Sequence, residues 1–331
     1  MEQPEQKHNP SKNKNLRAPR AWFHDYHSSG YYLITITTHK GSPALSTIND
    51  KPNELRRPGA VIIPENTPLG DCVQAELLSI SKKHPQLQIK RYVIMPDHIH
   101  FILLVTSRLD KPLGRYIAPF TTACSQAYRQ LFGLTSFTTL FQPFDDRIIF
   151  NYPQLDRAYK YIIDNPRRYL IRRQNPNLFR RHLHITIDNH EYAAYGNIFL
   201  LNEIYLLPIR IHRRWSPEEF EDYAAECRNK IAMGALPISP AIHKSEKEII
   251  WSAVKSGSKL ILLRDLSFNE RFKPQGELFN LCASGRLLLL SPWPENLNRR
   301  SDAGYAEFHK MNDLAVSIAG LPASARLILN E

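Results

Sequence analysis

The stretch YVIMPDHIHFILLV, residues 92–105, decides how the first half of the chain is expected to fold. Two apolar runs flank a Pro-Asp pair, and because this pair is a turn signal, the runs predict a β-hairpin. The second run carries His98 and His100, and alternate residues of a strand share one face. We therefore expect both imidazoles on one side of the sheet, with Ile99 and Phe101 pointing into a core on the other. The histidines are either metal ligands or two polar residues at the solvent-exposed end of a strand.

The segments around this hairpin complete a mixed pattern of helices and strands. The aromatic and β-branched run GYYLITITTH, residues 30–39, predicts a first strand, and apolar residues at helical spacing predict a helix before the hairpin. After the hairpin come a helix, a short strand in FDDRIIF and a last helix in LDRAYKYIIDNPRRYLIRR. The order β-α-β-β-α-β-α predicts an α+β fold, namely a ferredoxin-like split βαβ sheet with an added C-terminal helix.

The character of the sequence changes near residue 196. Helical segments then alternate with short apolar strands such as KLILLRD and GRLLLLSPWP, which predicts a parallel sheet covered by helices. We therefore divide the chain into a flexible basic tail (1–20), a domain with the split βαβ sheet (21–196) and a second α/β domain, expected to be Rossmann-like (197–331). The second domain lacks a Gly-rich phosphate motif such as GxGxxG, so no ligand is assigned to it.

The positive charge of the chain is concentrated in its first part. The formal net charge is +11, and residues 1–200 contribute +10 of it. A basic half of this kind suits a polyanionic partner, most often nucleic acid, although charge alone also fits a chain without such a partner.

The sequence carries no signal for a membrane or for secretion. It has no run of about 18 apolar residues, and its N-terminus lacks the apolar segment of a signal peptide. The cysteines form no CxxC pair, which favours a reducing compartment over a disulfide framework or a zinc ribbon. They are Cys72, Cys124, Cys227 and Cys282. We therefore expect a cytoplasmic protein without a membrane partner.

The last helix of the first domain carries a second group of candidate residues. Tyr161 and Asn165 are four residues apart and so share a helical face. The amide oxygen of Asn165 can bind a hard cation, and two imidazoles plus this oxygen would leave positions open for phosphate oxygens. A phenol oxygen nearby could then attack that phosphorus. The alternative is that Tyr161 is an ordinary residue of an amphipathic helix and that Asn165 only marks a break before Pro166.

Other tyrosines in the same stretch compete with Tyr161 for the role of nucleophile. At 100° per residue, Tyr159 points about 160° away from Asn165, whereas Tyr161 points only about 40° away. Tyr152 is expected before the helix begins, and Tyr169 lies beyond a kink expected at the proline. Tyr161 is therefore the preferred candidate.

Taken in order, these strings resemble the single-tyrosine HUH transposases, and among them the REP-associated tyrosine transposases. The resemblance covers roughly residues 16–175 and is carried by MPDHIH, FQPFDDRIIF, YIIDNP and the first strand YYLITITTH. The chain departs from the family in two places. It has Asp145 and Asp146 where many relatives have His-Asp, and Thr121 follows Phe120 where a basic residue is common.

The resemblance implies a metal-dependent single-stranded DNA nickase and strand transferase that acts beside a DNA hairpin. In this family a tyrosine becomes joined to the 5′ phosphate, and a free 3′ hydroxyl is kept for rejoining. By position, His98 and His100 match the metal-binding histidines, Asn165 the third ligand and Tyr161 the nucleophile. The implied cofactor is Mg²⁺ or Mn²⁺, and the implied partner is single-stranded or hairpin DNA in the nucleoid. A homodimer is compatible with this class, which leaves open whether Tyr161 serves its own metal site or a partner's.

Basic and aromatic residues near these motifs are candidates for DNA contacts, because arginine forks suit phosphate oxygens and aromatic rings stack on unpaired bases. The basic candidates are Arg167, Arg168, Arg172 and Arg173, then Arg180 and Arg181, and in the N-terminal tail Lys12, Lys14, Arg17 and Arg20. The aromatic candidates are Tyr169 and Phe179. The alternative is that the basic residues form solvated faces.

Two other functions remain compatible with the sequence. One is a domesticated DNA-binding protein on the same fold that no longer cleaves. The other is a metal-dependent nuclease that uses water, for which Tyr161 would be dispensable. A covalent protein–DNA adduct distinguishes the three functions.

Overall fold

The computed structural model describes residues 23–49, 61–211, 214–270, 272–295 and 305–327. The basic tail expected at residues 1–20 lies outside the described residues. The chain divides into two compact units, Met1–Leu170 and Ile171–Glu331.

The first unit is built on a four-stranded antiparallel sheet. Its elements are β1 (Gly30–Thr37), β2 (Ser46–Thr47), β3 (Glu65–Asn66), α1 (Pro68–Lys83), β4 (Leu87–Ile94), β5 (His98–Val105), α2 (Gly114–Phe132), β6 (Asp145–Ile149) and α3 (Tyr152–Gln174), whose last residues belong to the second unit. The strand order is β4-β5-β1-β6, and β2 pairs with β3 in a separate ribbon. Apart from this ribbon, the elements follow the predicted order β-α-β-β-α-β-α in an α+β fold.

The predicted hairpin is formed by β4 and β5. Its strands pair from Leu87 opposite Val105 to Ile94 opposite Ile99. The amide of Met95 donates a hydrogen bond to the carbonyl of His98 at 2.8 Å, which closes the turn at the Pro-Asp pair.

The two faces of β5 contribute to two different cores. Ile99 and Phe101 are fully buried among apolar residues of α1 and α2, as predicted. Ile102 is buried with Ala158 and Ile162 of α3 on the opposite face. Because alternate residues share a face, the β5 histidines lie on the α3 side of the sheet.

The second unit contains a six-stranded mixed sheet. Its elements are β7 (Arg181–Ile187), β8 (His190–Gly196), β9 (Leu206–Pro208), α4 (Pro217–Ala232), β10 (Leu236–Ser239), α5 (Lys244–Lys255), β11 (Leu260–Leu263), α6 (Glu277–Ala283), β12 (Leu287–Ser291), α7 (Tyr305–Gly320) and α8 (Ala323–Arg326). The strand order is β7-β8-β12-β11-β10-β9, with β9 to β12 parallel and β8 antiparallel to β12. The short apolar strands are buried between helices, as their composition predicts.

The structure differs from the sequence analysis in where the second unit begins. The boundary was expected near residue 196, whereas the units divide after Leu170. The reason is the β7–β8 hairpin, because β8 pairs with β12 and so adds both strands to the second sheet. This pairing joins strands almost a hundred residues apart, which local sequence patterns do not show.

The order of the parallel strands also bears on the Rossmann-like expectation. From β12 to β9 they follow one another without a reversal of strand order. In doubly wound sheets, the ligand crevice lies where the order reverses. The described residues of the second unit therefore contain no crevice of that kind.

Within the described part of the chain, no helix is both long and apolar enough to cross a membrane. All four cysteines are free thiols, and Cys124, Cys227 and Cys282 are buried.

Candidate active site

The two histidines of β5 lie side by side on the α3 face. Their ring centroids are 4.6 Å apart, and the ring planes are inclined at 76°. His100 is 5% exposed, and the side chain of His98 is 14% exposed. The strand alternation therefore places the pair as predicted, at a partly covered position.

Each imidazole is held through its Nδ1 atom. Nδ1 of His98 lies 2.6 Å from Oδ1 of Asp97, and Nδ1 of His100 lies 2.7 Å from Oγ1 of Thr35. When Nδ1 carries the proton in both rings, it donates to these oxygens and leaves each Nε2 with its lone pair. Such bonds fix the tautomer and the orientation of an imidazole that binds a metal.

Thr35 was not identified from the sequence. It lies directly opposite His100 in the β1–β5 ladder, which brings together two residues far apart in the chain. A run of β-branched residues in a predicted strand gives no signal for this partner, because the register between the strands decides it.

Tyr161 reaches the histidine pair from α3. Its hydroxyl lies 3.3 Å from Nε2 of His100, and the two ring centroids are 5.1 Å apart. The contact lies within one chain. It joins the two groups of candidate residues that the sequence analysis found separately.

The other tyrosines of α3 occupy different positions. Tyr159 lies near Arg91 and Tyr31, and burial raises its pKa. Tyr152 is the first residue of α3 rather than a residue before the helix, because Pro153 fits the first turn, where its missing N–H needs no helical partner. Tyr169 packs against the apolar core between the sheet and α3.

Asn165 is 4% exposed, and among the described residues its Nδ2 has no hydrogen-bond partner. A buried amide group without a partner costs about 1–3 kcal/mol. A turn of the amide group by 180° about its last side-chain bond would place Oδ1, an acceptor, at the same point. Asn165 is followed by Pro166 inside a continuous helix, so it does not mark the helix break that the alternative required.

The candidate metal ligands His98, His100 and Asn165 carry few charges. The described part of the chain has no group of three or more His, Cys, Asp and Glu side chains able to hold a metal ion. The set is therefore two imidazoles and one buried amide. Imidazole ligands suit transition-metal ions such as Zn²⁺ and Fe²⁺, whereas an amide oxygen suits Mg²⁺ and Mn²⁺.

Two of the predicted DNA-binding arginines are already engaged. Nε of Arg167 lies 2.5 Å from Oδ1 of Asp164, and Nε of Arg168 lies 2.7 Å from Oδ2 of the same carboxylate. Their side chains are 24% and 13% exposed. The spacing of three and four residues along a helix explains the pairing. The guanidinium groups of both arginines are therefore directed at the carboxylate of Asp164.

The remaining candidates for DNA contact are dispersed. Arg172 is half-buried and Arg173 exposed in the last turn of α3, and Arg180 is exposed before β7. A guanidinium nitrogen of Arg181 donates to the carbonyl of Phe268 at 3.1 Å. Phe179 packs against Phe279 at 5.1 Å. The tail candidates Lys12, Lys14, Arg17 and Arg20 lie outside the described residues.

The sequence contains a second HxH pair, His182 and His184, in β7. A bulge between His182 and Ile185 breaks the register with β8. His184 pairs with Glu191 at 3.3 Å, whereas burial and the neighbouring Arg180 lower the pKa of His182. The two rings therefore do not form a pair like that in β5.

No family model and no curated protein matches the sequence. The chain is similar to solved structures of two transposases. One is a REP-associated tyrosine transposase bound to a REP hairpin, with 17% identity, 46% of this chain and 74% of that chain covered, and a TM-score of 0.32. The other is a presumed transposase from Deinococcus radiodurans R1, with 13% identity, 46% and 98% covered, and a TM-score of 0.25. The chemistry of the site is therefore inferred from its own side chains.

Proposed function

We propose that this protein is a metal-dependent single-stranded DNA nickase and strand transferase, of the transposase type, that acts at hairpin DNA through a 5′-phosphotyrosine intermediate. The observation that carries the proposal is the 3.3 Å approach of the Tyr161 hydroxyl to Nε2 of His100. A phenol and two neighbouring imidazoles lie together on one face of the sheet. Asn165 follows Tyr161 by about one helical turn and has a buried amide nitrogen without a partner among the described residues. The MPDHIH string and the YIxxNP pattern of YIIDNP, which resemble those of the REP-associated tyrosine transposases, supply the same four residues.

In this proposal, His98, His100 and Asn165 would hold a divalent cation, Mn²⁺ or Mg²⁺, through the two Nε2 atoms and the amide oxygen. When bound, the cation would withdraw charge from a phosphodiester and assist its displacement. Asp97 and Thr35 keep the imidazoles turned with Nε2 towards this position. The buried amide of Asn165 would gain a partner that the described residues do not provide.

Tyr161 is the proposed nucleophile. Its oxygen forms a bond to phosphorus, the bond between phosphorus and the 3′ oxygen breaks, and that oxygen takes up a proton and leaves as the 3′ hydroxyl. The phenolic proton passes to water. Because an ordinary phenol has a pKa of about 10, loss of this proton must accompany the attack at neutral pH. Rejoining is the reverse step with a different 3′ hydroxyl.

The experiment is adduct formation with the full-length chain, Mn²⁺ and labelled DNA hairpins with single-stranded arms. A denaturing gel should show a protein–DNA adduct for the wild type and for Tyr159→Phe, and none for Tyr161→Phe. Tyr161→Phe should still bind the DNA.

Each outcome identifies one of the functions. Binding without any adduct in the wild type would indicate a DNA-binding protein that no longer cleaves. Cleavage that survives Tyr161→Phe without an adduct would indicate a nuclease that uses water. An adduct that persists in Tyr161→Phe would move the nucleophile to another tyrosine, with Tyr169 tested next.

A further inference from the structure

The two flanks of α3 face different edges of the four-stranded sheet. Ala158, Ile162 and Asn165 form the buried stripe of the helix. Tyr159 and Tyr161 are two residues apart, so they lie on opposite sides of this stripe.

β6 ends opposite Tyr31, α3 begins three residues later, and Tyr161 reaches His100 near the other end of these strands, so α3 runs back across the sheet antiparallel to β6. With the usual right-handed crossover from β1 through α1 to β4, the Tyr159 flank of a right-handed helix placed in this way faces the β4 edge, and the Tyr161 flank faces β6.

An arginine of β6 lies on this side of the sheet. Arg147 pairs with Leu33, and Leu33 pairs with Ile102. Residues directly opposite in a ladder share a face, so Arg147 is on the face of the β5 histidines. Asp145 and His100 both pair with Thr35, so they are level with each other across the sheet. Arg147 is two residues further along β6 than Asp145, which is about 7 Å in the strand direction.

A second arginine borders the same space from α3. Arg157 is four residues before Tyr161, so it lies on the same flank of the helix one turn earlier. Arg147 and Arg157 are both exposed. Within the described part of the chain, neither has a hydrogen bond or an acidic partner. Arg157 lies one helical turn from Tyr161, and Arg147 lies on β6, two strands from β5, on the same face as His100.

The other basic residues of α3 within the first unit are neutralised by neighbouring acids. Lys160 pairs with Asp156 at 2.8 Å. Arg167 and Arg168 share Asp164. Among the described residues, Arg157 on the Tyr161 flank and Arg147 on β6 thus keep positive charges that no acidic side chain neutralises.

We infer that Arg147 and Arg157 bind the backbone of the single-stranded DNA that adjoins the phosphate attacked by Tyr161. The strand lies along the β6 side of α3, with its phosphates on the two guanidinium groups. Guanidinium forks match phosphate oxygens, and these two have no acid to displace. The exposed carboxylate of Asp145 is level with His100 along the strands, because both pair with Thr35. Its negative charge repels the DNA backbone and so directs the DNA strand towards Arg147 and Arg157. This inference rests on the proposed function, because it takes Tyr161 as the point where the strand is cut.

The test uses the full-length chain and a fluorescent DNA hairpin with oligo(dT) arms, with EDTA present so that no strand is cut. The variants are Arg147→Gln, Arg157→Gln and the double variant. Arg91→Gln is the matched control, since Arg91 is an exposed arginine of β4 that pairs with Ile102 and so lies on the same face, at the opposite edge of the sheet from β6. Binding is measured by anisotropy at several salt concentrations.

Each phosphate contact on a single strand contributes about 0.7 to the slope of log K against log salt. The double variant should therefore lose about 1.4 from the slope, each single variant about half of that, and Arg91→Gln nothing. A double variant with the wild-type slope overturns the inference. So does an equal loss in Arg91→Gln, because the effect would then reflect general charge.

Adduct formation by the wild type with Mn²⁺ is measured separately on the same DNA. An adduct together with an unchanged slope overturns only the assignment of the arginines. The absence of any adduct overturns the proposed function, whatever the slope shows. A reduced slope with an intact adduct in the wild type supports both.

Discussion

Replacing Thr35 with valine should weaken metal binding although Thr35 would not touch the metal. The Thr35 hydroxyl lies 2.7 Å from Nδ1 of His100, and His100 is 5% exposed. Valine keeps the β-branched shape that suits strand β1, so the sheet should be preserved. The substitution removes the Thr35 hydroxyl that holds Nδ1 of the buried His100, and the imidazole can then turn or change tautomer.

The expected magnitude follows from what such supporting bonds contribute elsewhere. Loss of a hydrogen bond that orients a ligating imidazole typically reduces metal affinity by about 10–100-fold. This corresponds to about 1.4–2.7 kcal/mol of binding free energy. Loss of His100 itself should remove a ligand altogether and leave no measurable binding.

The measurement is calorimetric titration of Mn²⁺ into the full-length wild type, Thr35→Val and Thr35→Ser. Serine keeps the hydroxyl and should restore most of the affinity. Thr37→Val is the matched control, because Thr37 lies on the same strand face, opposite His98. Equal Mn²⁺ affinity in the wild type and Thr35→Val would refute the reasoning. An equal loss in Thr37→Val would show that the hydroxyl of Thr35 has no specific role.

Two further outcomes are expected. His98→Ala should abolish Mn²⁺ binding, whereas His184→Ala, in the other HxH pair, should leave the calorimetric titration unchanged; equal losses would show that the metal is not held by the β5 pair. Arg326→Met should lower the free energy of unfolding by about 3 kcal/mol, measured by urea denaturation, because the 2% exposed guanidinium donates to the carbonyls of Glu203, Ala319 and Leu321. Arg326→Lys should lose less, and an unchanged urea midpoint in Arg326→Met would contradict this role.

The parts of the site that the sequence predicted all depend on local periodicity. A period of two residues placed His98 and His100 on one face of β5. A period of 3.6 residues separated Tyr161 from Tyr159. Such relations hold within one element whatever surrounds it. The element order of the first unit was predictable for the same reason, since each strand and helix carries its own pattern.

The parts that were missed depend on relations between elements or on charge pairing. Thr35 becomes a partner of His100 only through the register of β1 on β5. The engagement of Arg167 and Arg168 was readable in principle, because Asp164 stands three and four residues before them. The doublet is assigned to DNA contact in the sequence analysis because the two arginines are weighed there without this neighbouring acid. Arg147 was not singled out, since its position on the histidine face depends on the sheet order.

The two HxH pairs show why the same spacing has different consequences. The ladder between β1 and β5 is unbroken from Gly30 opposite Val105 to Thr37 opposite His98, so alternation holds along the whole strand. In β7, His182 lies opposite Ala194, and the next pair is Ile185 opposite Tyr192.

One extra residue on β7 therefore lies in the bulge. Ala194 and Tyr192 share a face, so His182 and Ile185 do as well, and His184 points to the other side. The HxH spacing can bring two imidazoles to one metal only where the ladder is regular. The β5 pair meets this condition, and it also has an oxygen on each Nδ1 and a phenol at Nε2 of His100.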